Sequence, residues 1–111
     1  MTRSINTQEL NAFLKNKRAV TLIDVRRKSD YDASPQKMTG AQWHDPEKID
    51  TWVKQLPADN FIVAYCVKGG AVSQSVADRL QTNGLNAVFL EGGLNAWIES
   101  GPLIEKNAAP K

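Results

Sequence analysis

The chain is 111 residues long and 41% hydrophobic, enough apolar material for one buried core and too little for two. Fourteen Lys and Arg (14) against 12 Asp and Glu leave a net charge of +2, with no basic cluster of the kind a nucleic-acid partner demands. One cysteine, Cys66, and one histidine, His44, rule out an internal disulfide and a Cys/His metal site. The apolar run Phe61 to Val67 has the length of a strand, far short of the ~20 residues a membrane-spanning helix needs. Met1-Thr2-Arg3-Ser4-Ile5-Asn6 lacks the apolar core of a signal peptide. A cytoplasmic setting is therefore expected, with neither nucleic acid nor membrane as partner.

Thr7 is a candidate N-cap for a first helix, with Leu10, Phe13 and Leu14 on one face at i, i+3, i+4. Val20 to Val25 is a β-branched apolar run that suits a buried strand and ends at Arg26-Arg27-Lys28. Ser29 to Thr39 is polar, contains Pro35 and predicts loop or a short turn of helix. Ala41-Gln42-Trp43 suits a small strand. Asp45 followed by Pro46 supplies a cap and a first-turn proline for the clearest amphipathic helix, with Ile49, Trp52, Val53 and Leu56 inward and Pro57 closing it. From Asn60 the run Phe61 to Val67 reads as a strand buried on both faces, hence central in a parallel sheet. Lys68-Gly69-Gly70-Ala71 leads into a helix marked by Val72, Val76, Ala77 and Leu80 that stops at Asn83-Gly84. Ala87 to Leu90 is another strand, and Gly92-Gly93 turns into a last helix with Leu94, Trp97 and Ile98 inward, stopped by Gly101-Pro102. Trp52, Phe61, Phe89 and Trp97 fall at core-facing positions. Alternating strands and helices with short connections predict an α/β fold whose mainly parallel sheet is covered by helices on both faces. One domain is expected over residues 1–104, with 105–111 a frayed tail.

In such sheets, ligands gather at the carboxyl ends of strands, and Cys66 is at one. The loop Val67, Lys68, Gly69, Gly70, Ala71 is rich enough in glycine to curl its N–H groups around the sulfur, and a helix beginning near Val72 or Ser73 adds unpaired amides and the positive end of its dipole. All three features stabilise a thiolate, the nucleophilic form of cysteine. Lys68 and Arg26 are candidates to add positive potential for an anionic substrate, and Arg26, following Asp24-Val25, is also a candidate support for the loop. Arg27 and Lys28 read as a solvated strand end, and His44 as a surface or cap-region histidine without a catalytic role.

The segments Leu22-Ile23-Asp24-Val25-Arg26, Asp30-Tyr31, Gly40-Ala41, Tyr65 to Gly70, Leu80 to Gly84 and Leu90 to Trp97, in that order over about residues 4 to 101, resemble the motifs of the rhodanese family. The resemblance implies a five-stranded, mainly parallel sheet between helices. It also implies a sulfurtransferase without a cofactor, in which Cys66 takes a sulfane sulfur from thiosulfate or a persulfide donor and passes it to a thiol or cyanide, a protein acceptor being a further candidate. Two departures stand out. The family's Gly-His-Ile-Pro-Gly-Ala segment is Gln36-Lys37-Met38-Thr39-Gly40-Ala41 here. Many members also carry an arginine late in the active loop, where this chain has Gly70-Ala71-Val72-Ser73 and Lys68 is the loop's only charge. One lysine is a poor match for the two charges of thiosulfate. Trp43 to Pro46 with Cys66 to Gln74 is also similar to rhodanese-like modules found with chromate-resistance proteins. The rival function is a non-catalytic binding or regulatory module. Phosphatases and arsenate reductases with a related cradle are more distant, since their loop ends in an arginine where Val72 and Ser73 stand.

Overall fold

The computed structural model describes residues 3–16, 20–33, 36–38, 40–56, 61–100 and 104–106. In chain order the elements are β1 (Ser4–Ile5), α1 (Thr7–Lys15), β2 (Val20–Asp24), α2 (Lys28–Ala33), β3 (Gln36–Met38), β4 (Gln42–Trp43), α3 (Ile49–Trp52), β5 (Phe61–Tyr65), α4 (Ala71–Thr82), β6 (Ala87–Leu90), α5 (Gly93–Ser100) and β7 (Ile104–Lys106). Five strands form a parallel sheet in the order β1-β6-β5-β2-β4, so β5 is central as its composition predicts. Its side chains alternate between two cores. Val63 and Tyr65 join Leu10 of α1 and Leu94 and Trp97 of α5 on one face, while Ile62 and Ala64 join Ile49 and Trp52 of α3 and Val76 and Leu80 of α4 on the other. The period of two along a strand thus divides one continuous apolar run between two helical layers. Trp52 and Trp97 are buried, and Phe61 and Phe89 are half-buried.

Several local expectations change. The N-cap of α1 is Asn6, not Thr7: Glu9 N–H donates to Asn6 Oδ1 at 2.8 Å and Asn6 N–H to Glu9 Oε1 at 3.0 Å, a reciprocal box that starting at Thr7 would break. The segment expected as loop or a short turn of helix contains the short helix α2, as the second of those readings has it, and also the strand β3, which neither predicts. The strand β3 exists because β7 pairs with it antiparallel, Gln36 opposite Lys106 and Met38 opposite Ile104. Glu105 and Lys106, assigned by pattern to a frayed tail, are therefore held by a strand ladder. The helix expected from Asp45 is a short α3 between 3-10 turns, Pro46–Lys48 and Val53–Gln55. Asp45 caps the first of these turns by accepting from Glu47 N–H at 2.9 Å, and Trp52 Nε1–H reaches back to Asp45 O at 2.8 Å, tightening a run too short for regular α-helix. Ile49, Trp52 and Val53 still face inward, with Leu56 half-buried. Cys66 and Val67 lie just beyond β5 instead of inside it, and the following helix starts at Ala71. The readings placed on Met1, Thr2, Pro35, Thr39, Pro57, Asn60, Gly101, Pro102 and 107–111 lie outside the described residues.

Candidate active site

Cys66 leaves the central strand, and its buried Sγ lies 3.2 Å from Ser73 Oγ, the thiol donating in the neutral form and the hydroxyl donating once the sulfur is ionised. Ser73 was expected in the loop. It is instead a buried residue in the first turn of α4, as Ala71 and Val72 are also helical, so the loop proper is Val67 to Gly70. Its path is set by close backbone contact with the start of α5. Gly69 has φ +71°, and a Cβ there would stand 2.7 Å from Gly92 N and 2.8 Å from Leu90 O. Gly93 has φ +60°, and its Cβ would stand 2.4 Å from Cys66 O. No side chain fits either position without moving backbone.

The loop's carbonyls are tied down on that side. Leu94 N–H donates to Cys66 O at 2.8 Å, Asn95 N–H to Val67 O at 3.0 Å, and Gln74 Nε2–H to Gly69 O at 3.0 Å. In a trans peptide the N–H points opposite its C=O, so the amides of Val67, Lys68 and Gly70 turn away from these partners. The amides opening α4 add to them, since the first intrahelical bond is Gln74 N–H to Gly70 O. A pocket of about 310 Å³ is lined by Cys66, Val67, Lys68, Gly70, Ala71 and Val72 from the loop and α4, and by Arg27 and Asp30 from the end of β2 and α2. Gly69 stands behind, against Gly92-Gly93.

Arg26 corrects the expectation that it adds positive potential for a substrate. It is 1% exposed and does not line the pocket, so it adds no accessible charge for a substrate. Its guanidinium instead pairs with Asp24, Nη2 to Oδ2 at 2.5 Å and Nε to both carboxylate oxygens at 2.9 Å, while Arg26 N–H donates to Asp24 Oδ1 at 3.0 Å. Trp43 Nε1–H donates to Arg26 O at 2.8 Å, and the guanidinium lies 5.2 Å over the Tyr31 ring, which stacks on Trp43. Tyr65, opposite Asp24 in register, accepts from Met38 N–H at 3.2 Å; burial first and the Asp24 carboxylate second push its phenol above the ordinary range. The end of β2 is thus locked beside the end of β5. The exposed cations at the pocket are Lys68 and Arg27. Arg27, expected as a solvated strand end, instead lines the pocket: beyond β2, which ends at Asp24, Val25 and Arg26 are buried and Arg27 is the first exposed side chain. His44 stacks on Trp52 at 4.7 Å, burial lowers its pKa, and it stands outside the residues lining the pocket. No three metal-ligating side chains converge among the described residues.

A family model described as rhodanese-like domain matches residues 6–100. The chain belongs to the rhodanese-like domain family. Among curated proteins it is 31% identical over 98 residues to the probable adenylyltransferase/sulfurtransferase MoeZ of Mycobacterium tuberculosis, a match that takes in 86% of this chain and 24% of that one. The chain therefore spans about a quarter of the length of that relative. Among solved structures, a rhodanese-related protein from Thermoplasma volcanium superposes with a TM-score of 0.80 at 28% identity, covering 93% of this chain and 97% of the other. A rhodanese-like domain protein from Staphylococcus aureus gives a TM-score of 0.81 at 26% identity, covering 96% of this chain and 100% of its own. These relatives share the rhodanese-like fold seen here, with its five-stranded parallel sheet between helices. Among the described residues no helix is long and apolar enough to cross a membrane.

Proposed function

We propose that this rhodanese-like domain is a sulfurtransferase in which Cys66 carries the sulfur as a persulfide. The observation that carries the reading is the placement of Cys66 on the pocket wall between a loop with its carbonyls tied to α5 and Gln74 and the first turn of α4. Amides turned away from those ties, together with the Ser73 hydroxyl 3.2 Å from Sγ, are the groups available to stabilise an anionic sulfur. The Cys66 thiolate attacks the sulfane sulfur of the donor. With thiosulfate, the bond between its two sulfurs breaks, sulfite departs with the electron pair, and Cys66 is left as a persulfide anion. An acceptor nucleophile, a thiol or cyanide, then attacks the outer sulfur and Cys66 leaves as thiolate. The leaving groups are stable anions, so little proton transfer is required and no histidine base is needed. Lys68 and Arg27 offset the charge of the bound donor, but Asp30 shares their pocket, which suits a persulfide donor better than dianionic thiosulfate.

Steady-state rates with donor and acceptor varied together test this sequence of events. Parallel double-reciprocal lines are expected, since donor product departs before acceptor reacts. Intersecting lines would mean direct transfer between two bound substrates and would overturn the carrier role.

A further inference from the structure

The Cys66 pocket continues past the start of α4. A second pocket of about 330 Å³ adjoins it, with Pro46 and Glu47 contributed by the 3-10 turn before α3 and Ser75 and Val76 by α4; Arg27, Ala71 and Val72 line both. Sulfite or cyanide has no use for this second space, because each is small enough for the Cys66 pocket alone. Each pocket has the volume of a small-ligand site, and the two share a wall. Their charges are mixed in a particular order: Lys68 and Asp30 beside Cys66, Arg27 at the divide, Glu47 in the second pocket, with the apolar side chains of Val72 and Val76 between.

We propose that the second pocket holds the body of the acceptor, a short zwitterionic peptide thiol, and that Arg27 determines this specificity. This rests on the persulfide reading of Cys66. The acceptor's sulfur reaches the Cys66 persulfide, a carboxylate takes the Arg27 guanidinium in the two-pronged geometry that arginine offers, and its ammonium faces Glu47. The thiolate of the acceptor attacks the outer sulfur of the Cys66 persulfide, and a new sulfur–sulfur bond forms as the old one breaks. The electron pair stays on Cys66 as thiolate, and the acceptor leaves as a persulfide. No external oxidant or reductant enters. A neutral thiol without carboxylate or ammonium undergoes the same step without the second pocket.

The test loads the full chain at Cys66 with inorganic polysulfide, removes the excess, and follows loss of the added sulfur to glutathione or to 2-mercaptoethanol. The ratio of the two second-order rate constants is compared between wild type and variants, which cancels the intrinsic reactivity of the thiols. Arg27→Gln is expected to lower the glutathione preference about tenfold, and Glu47→Gln about threefold. Both positions are exposed, and circular dichroism and the melting transition verify folding. In parallel, S-methylglutathione, which cannot accept sulfur, is titrated into the unloaded protein. It should bind wild type and bind Arg27→Gln at least tenfold more weakly. A preference unchanged by Arg27→Gln overturns the proposal while leaving Cys66 as carrier. Failure of Cys66 to load overturns the carrier reading instead, and in that case S-methylglutathione binding alone decides whether the second pocket recognises a peptide thiol.

Discussion

The neighbouring ends of β2 and β5 treat charge in opposite ways. At the end of β2 a carboxylate and a guanidinium are buried and consumed by each other, with Trp43 and Tyr31 packed around them. At the end of β5 no side-chain charge is buried, and the backbone itself is arranged, its carbonyls tied to α5 and Gln74 so that its amides face elsewhere. The first arrangement makes a rigid abutment, and the second leaves hydrogen-bonding capacity for a guest. Fold and chemistry are thus divided between two adjacent strand ends, as the carboxyl edge of a parallel sheet allows.

Breaking the abutment has the largest expected effect. Arg26→Met leaves Asp24 buried and unpaired and is expected to cost about 3 to 5 kcal/mol, read from urea unfolding. The double variant Asp24→Leu with Arg26→Met should recover a substantial part of that loss, because the penalty lies in the orphaned charge. A cost below about 1 kcal/mol for the single variant would mean that the ion pair does not hold this strand end.

The glycine contact sharpens the other side of the comparison. Gly93→Ala sets a Cβ against Cys66 O in a backbone conformation that alanine adopts only with strain, and should cost about 2 kcal/mol and slow alkylation or sulfur loading of Cys66. Gly70→Ala, with φ −88° and nothing within 4 Å of its Cβ, should cost less than about 1 kcal/mol. Equal effects at the two positions would show that loop flexibility, not contact with α5, is what the glycines provide.

That contrast also marks what the sequence makes legible. The β5 run, Cys66 at its end and the apolar spacing of α4 are local signals, and both elements form there, though β5 stops at Tyr65 and α4 begins at Ala71. The glycine pair Gly69-Gly70 is visible too, but which member is indispensable depends on Gly92 and Leu90, more than twenty residues along the chain. The pairing of β3 with β7 is equally non-local: neither three-residue strand has a pattern of its own, and each is a strand because the other is there. Two-residue β1 is set by its register with Phe89 and Leu90. Arg26 and Arg27 are indistinguishable by residue type, and only the tertiary structure separates the buried partner of Asp24 from the pocket cation.

The smallest expected effect is at His44, which packs beside the β2 end without joining its ion pair. Burial lowers its pKa in the folded state, so on acidification the unfolded chain takes up a proton near pH 6.5 before the folded one does. Its contribution is fully present above that pH and is lost as pH falls toward the folded-state value. His44→Phe, which keeps a ring against Trp52, should flatten the decline in melting temperature between about pH 7 and 5.5. An identical slope in the variant would assign that decline to other groups.

The central claim, that Cys66 carries the sulfur, is tested most directly by the intact mass of the protein after exposure to polysulfide or to thiosulfate, in wild type and in Cys66→Ser. The expected result is a gain of one sulfur atom in wild type, more complete with polysulfide than with thiosulfate, removed by cyanide or thiol and absent from Cys66→Ser. No gain with either donor, or the same gain in Cys66→Ser, would contradict it.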